Sequence, residues 1–255
     1  MAEVIAVDGL GRTGKGTLAS NLAKDIAVSS CPTSLPYRIT AKEMLDAGIP
    51  PSDASAEEIT SYALDLLPRM ALHPDGLLLD NQEVLHLARS PEINANVAYV
   101  STVLDVRRRL TEPLCQDMLR SLGDELDFVV MEGRDEALTW QRLGGLAFGV
   151  YLIASPLVQA QRELAAQEEG STMKLVEAMY RNMERDARDM VKPEGKGSAL
   201  PLRDAVVFDE AMATDDKIKI LEQHGQLIID TDDLKAEDVA EVVTELKDYY
   251  LDLRA

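Results

Sequence analysis

The segment VIAVDGLGRTGKGT, residues 4–17, constrains the fold more than any other part of the sequence. Its first four residues form a short apolar run of the kind found in a buried parallel strand, and a helical pattern follows the glycines. Gly9 to Lys15 fit the spacing G-x-x-x-x-G-K between strand and helix, which is the context that this motif requires. The main-chain N–H groups of such a loop curl around phosphate oxygens, and the helix N-terminus adds partial positive charge. The segment therefore predicts a phosphate-binding loop.

The residue after the lysine departs from the commonest form of this loop. Gly16 stands where a hydroxyl usually follows Lys15, and Thr17 comes next, so that G-K-G-T resembles the loop of nucleoside monophosphate kinases more than that of GTPases. We expect Lys15 to reach the outer phosphates and Thr17 to hydrogen-bond a phosphate. Mg²⁺ is expected near Thr17, held by nucleotide phosphates and water. The predicted ATP-binding residues are Gly9, Leu10, Gly11, Arg12, Thr13, Gly14, Lys15, Gly16 and Thr17.

The composition narrows the class of protein. The chain has 255 residues, 46% of them hydrophobic, which suits a folded protein with a sizeable core. No apolar run reaches the roughly 20 residues that span a bilayer, and the two cysteines make no disulfide framework. A net charge of −19 repels nucleic-acid backbones and anionic membranes. We therefore expect a cytoplasmic protein whose partners are small molecules, with no nucleic acid and no membrane.

Short apolar runs separated by helical stretches predict an α/β fold with a parallel sheet covered by helices. Further strands are predicted at 128–131, 150–153, 205–208 and 227–229, and GLLLDNQEV, residues 76–84, predicts a strand that runs into a turn. Helices are predicted at 15–27, 37–47, 92–121 (interrupted at Pro113), 156–167, 171–190 and 235–249, with another helix start at Ser55 and Glu58. The chain is predicted to form a single domain whose core spans about 1–34, 123–170 and 203–255, with a helix-rich insertion at about 35–122.

A row of basic residues lies in the predicted helix 171–190 and just beyond it. Arg181, Arg185, Arg188 and Lys192 recur at i, i+4, i+7 and i+11, which places them on one helix face. One interpretation is a solvated face whose arginines pair with acidic neighbours. The alternative, which we favour, is a lid over about 171–202 that closes over phosphates, because a loop containing glycine and proline follows at 192–201.

Arg134 and Asp135 follow the strand that ends at Met131. Ligands bind at the carboxyl ends of the strands in open α/β sheets, so this pair is a candidate for substrate binding. The alternative is a salt bridge at the strand end.

Six further motifs, in order along nearly the whole chain, resemble those of bacterial cytidylate kinases. They are Thr33 with Tyr37-Arg38; LDNQEVLHLARSPEI at 79–93, with Arg89, Pro91 and Glu92; Val106-Arg107 with Leu110; EGRD at 132–135; LIASPL at 152–157; and Arg185-Asp186 with Arg188-Asp189 and Lys192. The resemblance implies the fold of P-loop nucleoside monophosphate kinases, in which the insertion binds the acceptor.

The resemblance also implies roles for individual residues. Arg38 and Arg134, assisted by Thr33, would hold the acceptor phosphate. Arg107 and Asp135 would face the base, a pairing that suits the donors and acceptors of cytosine, while Arg185 and Asp189 would hold the sugar and phosphate. The implied acceptor-binding residues are Thr33, Arg38, Arg107, Arg134, Asp135, Arg185, Asp189 and Lys192, and the implied catalytic residues are Lys15, Arg134, Arg162, Arg185 and Arg188.

The implied activity is transfer of the γ-phosphoryl group of ATP to CMP or dCMP by a monomer, with Mg²⁺ and without a covalent intermediate. Ala98 replaces a serine that helps to read cytosine in the family, and Lys192 replaces an arginine and cannot grip an anion bidentately. Two alternatives therefore stay open. One is a P-loop kinase for UMP, AMP or a non-nucleotide acceptor, and the other is a degenerate relative that binds nucleotide without turnover.

Overall fold

The computed structural model describes residues 2–24, 28–73, 76–84, 90–122, 126–166, 174–190, 206–208 and 213–252. Side chains are described for all of these except 28–32, 91, 188–190 and 214. The chain divides into two compact units, one of Met1–Ala2 with Ser29–Val129 and one of Glu3–Val28 with Val130–Ala255. The predicted division into core, insertion and lid stays a prediction.

The described elements, in chain order, are β1 (Glu3–Gly9), α1 (Lys15–Leu22), β2 (Val28–Pro32), α2 (Leu35–Asp46), α3 (Ala56–Leu66), a 3₁₀ helix (Leu67–Arg69), β3 (Met70–His73), β4 (Gly76–Leu79), β5 (Gln82–Glu83), α4 (Pro91–Ser101), α5 (Leu104–Val106), a π-helical segment (Arg107–Thr111), α6 (Glu112–Leu122), β6 (Phe128–Glu132), α7 (Glu136–Leu143), β7 (Leu146–Ile153), α8 (Pro156–Ala165), α9 (Leu175–Met190), β8 (Val206–Val207), α10 (Thr214–His224), β9 (Gln226–Asp230) and α11 (Ala236–Asp252).

The second unit is built around a sheet whose strands follow the order β6-β1-β7-β9-β8. β1 pairs in parallel with β7, and β9 pairs in parallel with both β7 and β8. Residues 4–7 of β1 are fully buried, as their apolar character predicts. Helices α1 and α7 pack on β1, and α10 packs on β9. The predicted α/β fold with a parallel sheet and flanking helices is confirmed.

The first unit combines helices with a small antiparallel sheet of order β3-β4-β5. α2 packs against α4, and α6 packs against β3. The helix start predicted at Ser55 is confirmed as a capping box, because the Ser55 hydroxyl accepts from the Glu58 N–H and the Glu58 carboxylate accepts from the Ser55 N–H. β4 turns into β5 through Asp80 and Asn81, both with positive φ.

Several element boundaries differ from the prediction. α1 ends at Leu22, and residues 25–27 of the longer predicted helix lie outside the described residues, as does the predicted loop at 192–201. The predicted helix at 92–121 is divided into α4, α5 and α6. Pro113 lies in the first turn of α6, directly after the π-helical segment, where a residue without an N–H disturbs the hydrogen-bond ladder. Helix α10 was not predicted. Among the described helices, none has the length and apolar composition needed to cross a bilayer.

Candidate active site

The phosphate loop has the predicted position between β1 and α1, and its backbone needs glycine at two points. Gly9 has φ +140° and a Cβ there would overlap the carbonyl oxygen of Leu152 in β7. Gly14, the N-cap of α1, has φ +99°. Both φ angles favour glycine, because a Cβ clashes with the backbone in this region. The strand, the glycine turn and the helix start therefore agree with the sequence motif.

Lys15 lies over its own loop and is only 9% exposed. Its Nζ donates to the carbonyl oxygen of Leu10 at 2.5 Å, and the hydroxyl of Thr13 donates to the same oxygen at 3.0 Å. Burial and, to a lesser extent, the nearby Arg134 guanidinium lower the pKa of Lys15 to about 7, and Glu132 opposes this shift. The buried amine of the ligand-free loop is therefore about half protonated at pH 7.

Arg134 extends from the turn between β6 and α7 to the base of the phosphate loop. Its guanidinium donates to the carbonyl oxygen of Gly9 at 2.8 Å. Asp135, its neighbour, is the N-cap residue of α7 by position, although its side chain makes no capping hydrogen bond. The second unit therefore brings the predicted arginine and the predicted lysine to the same loop.

Helix α9 presents two neighbouring residues to the loop. The guanidinium of Arg185 fills the space where a Cβ of Gly11 would lie. Asp186, which is 7% exposed, accepts a hydrogen bond from the Gly11 N–H at 3.2 Å. The Gly11 N–H, which is expected to bind a phosphate when nucleotide is present, is thus hydrogen-bonded to the Asp186 carboxylate in this structure. This contact was not predicted, although Asp186 stands in the arginine- and aspartate-rich segment that resembles the family motif.

Arg162 of α8 also contacts the loop. It donates to the hydroxyl of Thr231 at 2.9 Å, to the Thr231 carbonyl at 2.5 Å and to the carbonyl of Arg12 at 3.3 Å. Arg181, by contrast, pairs with the buried Glu163 of α8, so this member of the basic row contacts a neighbouring helix. The side chains of Arg188 and Asp189, and all of Lys192, lie outside the described residues.

The remaining predicted acceptor residues belong to the first unit. Thr33 is buried, and Arg38 of α2 donates to the side-chain oxygen of Asn94 at 2.6 Å. Arg107 donates to the carbonyl of Ser101 at 2.6 Å and lies 5.6 Å from the ring centroid of Tyr37. Asn94, on α4, was not recognised from the sequence. Whether these residues act together with those of the second unit stays a prediction.

Carboxylates near the loop were also missed. A Cβ at Gly16 would lie 3.3 Å from Oε2 of Glu132, which brings the end of β6 close to the first turn of α1, where Thr17 is exposed. Asp8, the last residue before the loop, is 2% exposed and accepts two backbone N–H groups of α7. Among the described residues there is no group of three or more histidine, cysteine, aspartate or glutamate side chains that could hold a metal ion. One carboxylate and one hydroxyl fit an ion that takes most of its ligands from phosphates and water.

A parallel sheet that carries a phosphate loop, with a buried lysine and arginines from three elements around it, defines a P-loop phosphotransferase. The chain belongs to the cytidylate kinase family, whose model matches residues 5–222. It is 34% identical over 210 residues to the cytidylate kinase of Symbiobacterium thermophilum, covering 81% of this chain and 88% of that protein. It is 29% identical over 219 residues to the cytidylate kinase of Corynebacterium efficiens, covering 84% and 90%. The predicted family membership is confirmed.

Proposed function

We propose that this protein transfers the γ-phosphoryl group of ATP to CMP or dCMP. The observation that carries the proposal is the convergence of Lys15 with Arg134, Arg162 and Arg185 around one phosphate loop. Phosphoryl transfer needs cations that align two polyanions and neutralise the transferring group, and it needs little covalent chemistry from the protein. We infer that the acceptor is CMP or dCMP because the relatives that match most of this chain are cytidylate kinases.

On the donor side, residues 9–17 cradle the phosphates of ATP, and Lys15 binds the outer phosphates. Arg162, Arg185 and Arg188 neutralise charge that builds up on the transferring group. Thr17 and Glu132 are the protein groups that would help to hold Mg²⁺, which would supply neutralisation of the phosphate charge of ATP. No strong general base is needed, because the attacking oxygen of the acceptor phosphate is already anionic.

On the acceptor side, Arg38 and Arg134 hold the phosphate, with Thr33 assisting, and Arg107 and Asp135 face the base. Arg185, Asp189 and Lys192 bind the sugar and phosphate. The hydrogen bond from Arg38 to Asn94 on α4 supports a role for that helix, which also carries Ala98 one turn further on. Because Ala98 stands where the family has a serine that helps to read cytosine, selectivity for the acceptor base is the first property to measure.

The domain organisation completes the proposal. Residues of about 35–122 form the acceptor-binding insertion and residues of about 171–202 form the lid, within a single kinase domain that acts as a monomer. The cysteine content suits a reducing compartment, and we place the protein in the cytoplasm.

A panel of acceptors in a coupled assay for ADP release tests the activity. CMP and dCMP should be turned over with a higher kcat/KM than UMP, AMP and non-nucleotide hydroxyl compounds. Preference for another acceptor would support the first alternative, and ATP binding without turnover of any acceptor would support the second. Lys15→Ala should lower kcat by about 10²–10³ with the fold retained, whereas Lys24→Ala, at an exposed position after α1, should not.

Two further variants test the acceptor residues. Arg38→Ala and Arg134→Ala should raise KM for CMP much more than KM for ATP. Arg108→Ala, at an exposed position beside Arg107, is the matched control. Unchanged affinity for the monophosphate in both variants would contradict the assigned roles.

A further inference from the structure

The first turn of α7 begins directly after Arg134 and Asp135, and its N–H groups need acceptors because a helix start leaves them without partners in the helix. The usual solution is a side chain at the N-cap, but Asp135 makes no such bond. The acceptor comes from another strand. Asp8 of β1 accepts from Glu136 N at 2.8 Å with Oδ1 and from Ala137 N at 2.9 Å with Oδ2.

These two bonds belong to a larger connection between β1 and the turn that carries Arg134. The N–H of Gly133 donates to the carbonyl of Val7 at 3.1 Å, and Arg134 donates to the carbonyl of Gly9 at 2.8 Å. Three successive residues of the chain, 7–9, therefore each hold the segment 133–137. Of these three residues, Asp8 holds the segment through its side chain. Its carboxylate also accepts a hydrogen bond from the side-chain amide of Gln226 in β9 at 3.3 Å.

We propose that Asp8 is a positioning residue for the acceptor: its carboxylate fixes the first turn of α7 on the strand that leads into the phosphate loop, and so sets Arg134 and Asp135 relative to Lys15. The proposal rests on the proposed function, in which Arg134 and Asp135 bind the monophosphate. Asp8 itself touches no substrate, since both of its oxygens face backbone N–H groups in a buried site. The loop residues keep their own internal bonds, such as that from Thr13 to Leu10, without it.

An ionised carboxylate is the group that the site requires. Burial raises the pKa of Asp8 to about 7, and the two backbone N–H donors oppose this shift by favouring the charged form. The charged side chains that face Asp8 are Lys15 of α1, which lowers its pKa, and Asp135 at the start of α7, which raises it. Below this pH one oxygen gains a proton and can no longer accept from both N–H groups.

Asp8→Asn should remove one of the two hydrogen bonds to the N–H groups of Glu136 and Ala137 at every pH. Whichever way the amide is turned, its NH₂ faces one of the two backbone N–H groups, which leaves a buried donor without an acceptor. We expect KM for CMP to rise about tenfold while KM for ATP changes by less than about twofold. Asp248→Asn, at an exposed carboxylate of α11 that pairs with Lys247, is the control for the same chemical change and should leave both constants unchanged.

Two measurements separate positioning from a merely structural role. KM for the CMP dianion should rise in the wild type as pH falls through about 7, and this step should be missing from the profile of Asp8→Asn. Backbone hydrogen exchange of the peptide 133–143 should accelerate in the variant more than that of the rest of the chain. The wild-type pH profile applies even if the variant does not fold.

The proposal is overturned if both KM values stay unchanged or rise together, if the wild-type KM for the dianion is flat across pH 7, or if exchange in 133–143 is no faster than in the rest of the chain. Wild-type protein that turns over no acceptor would refute the proposed function instead. The exchange measurement would then still test whether Asp8 holds the start of α7.

Discussion

Lys15 should take up a proton when ATP binds. In the ligand-free protein, burial and the guanidinium of Arg134 lower its pKa to about 7. Triphosphate oxygens beside the amine favour its charged form and are expected to restore the pKa toward its ordinary value, about 10.4. The loop would then bind its ligand as a fully charged ammonium, and the missing proton would come from the solvent.

The size of the effect follows from the pKa. At pH 8 the free amine is about one-tenth protonated and the bound amine is almost fully protonated, so about 0.9 proton should be taken up per ATP bound. At pH 6 the free amine is already about nine-tenths protonated, and the contribution of Lys15 should fall to about 0.1 proton. The uptake of protons should therefore increase steeply with pH between these values.

Isothermal titration calorimetry in buffers of different ionisation enthalpy measures this uptake, with ATP supplied as its Mg²⁺ complex. Lys15→Arg is the matched variant, because a guanidinium keeps its charge throughout this range and cannot take up a proton on binding. It should lose the uptake at pH 8. The reasoning would be refuted by a wild-type uptake that does not change from pH 6 to pH 8, or by equal uptake in the two proteins at pH 8.

Three further predictions concern single contacts. Asp186→Asn should lower the Kd of ATP about three- to tenfold, because it removes a negative charge that competes with phosphate for the Gly11 N–H. Calorimetry that finds unchanged or weaker ATP binding in the variant would contradict this prediction. Gly11→Ala should lower kcat about 10²-fold, because the new Cβ displaces the guanidinium of Arg185, and thermal stability should be nearly retained because the Arg185 side chain is flexible. The double variant Gly11→Ala/Arg185→Ala should have the same kcat as Arg185→Ala alone, and additive losses of kcat would show that the two substitutions act independently. Ser55→Ala should lower the free energy of unfolding by about 1 kcal/mol through loss of the capping box, as measured by urea denaturation; a value indistinguishable from zero would mean that the box contributes nothing.

Features that depend on residues close together in the chain could be predicted from the amino-acid sequence. The phosphate loop follows from an apolar strand, two glycines whose φ is positive and a helix start, all within residues 4–17. The capping box at Ser55 is equally local. The strand and turn predicted at residues 76–84 are confirmed by β4 and by the positive φ of Asp80 and Asn81, which both residue types tolerate, whereas the antiparallel pairing of β3, β4 and β5 was not predicted. Backbone sterics and hydrogen bonds over three or four residues are encoded in such short segments.

The groups that meet at the phosphate loop come from distant parts of the chain and depend on how the strands and helices pack. The carboxylate on the Gly11 N–H comes from 175 residues further along the chain, and the N–H groups that Asp8 accepts lie 128 and 129 residues away. Strand order brings β6 and β7 to either side of β1, and that arrangement places the Arg134 guanidinium at Gly9 and closes the space around Asp8. The shifted pKa of Lys15 has the same origin, because desolvation depends on everything packed around the amine and not on its neighbours in sequence.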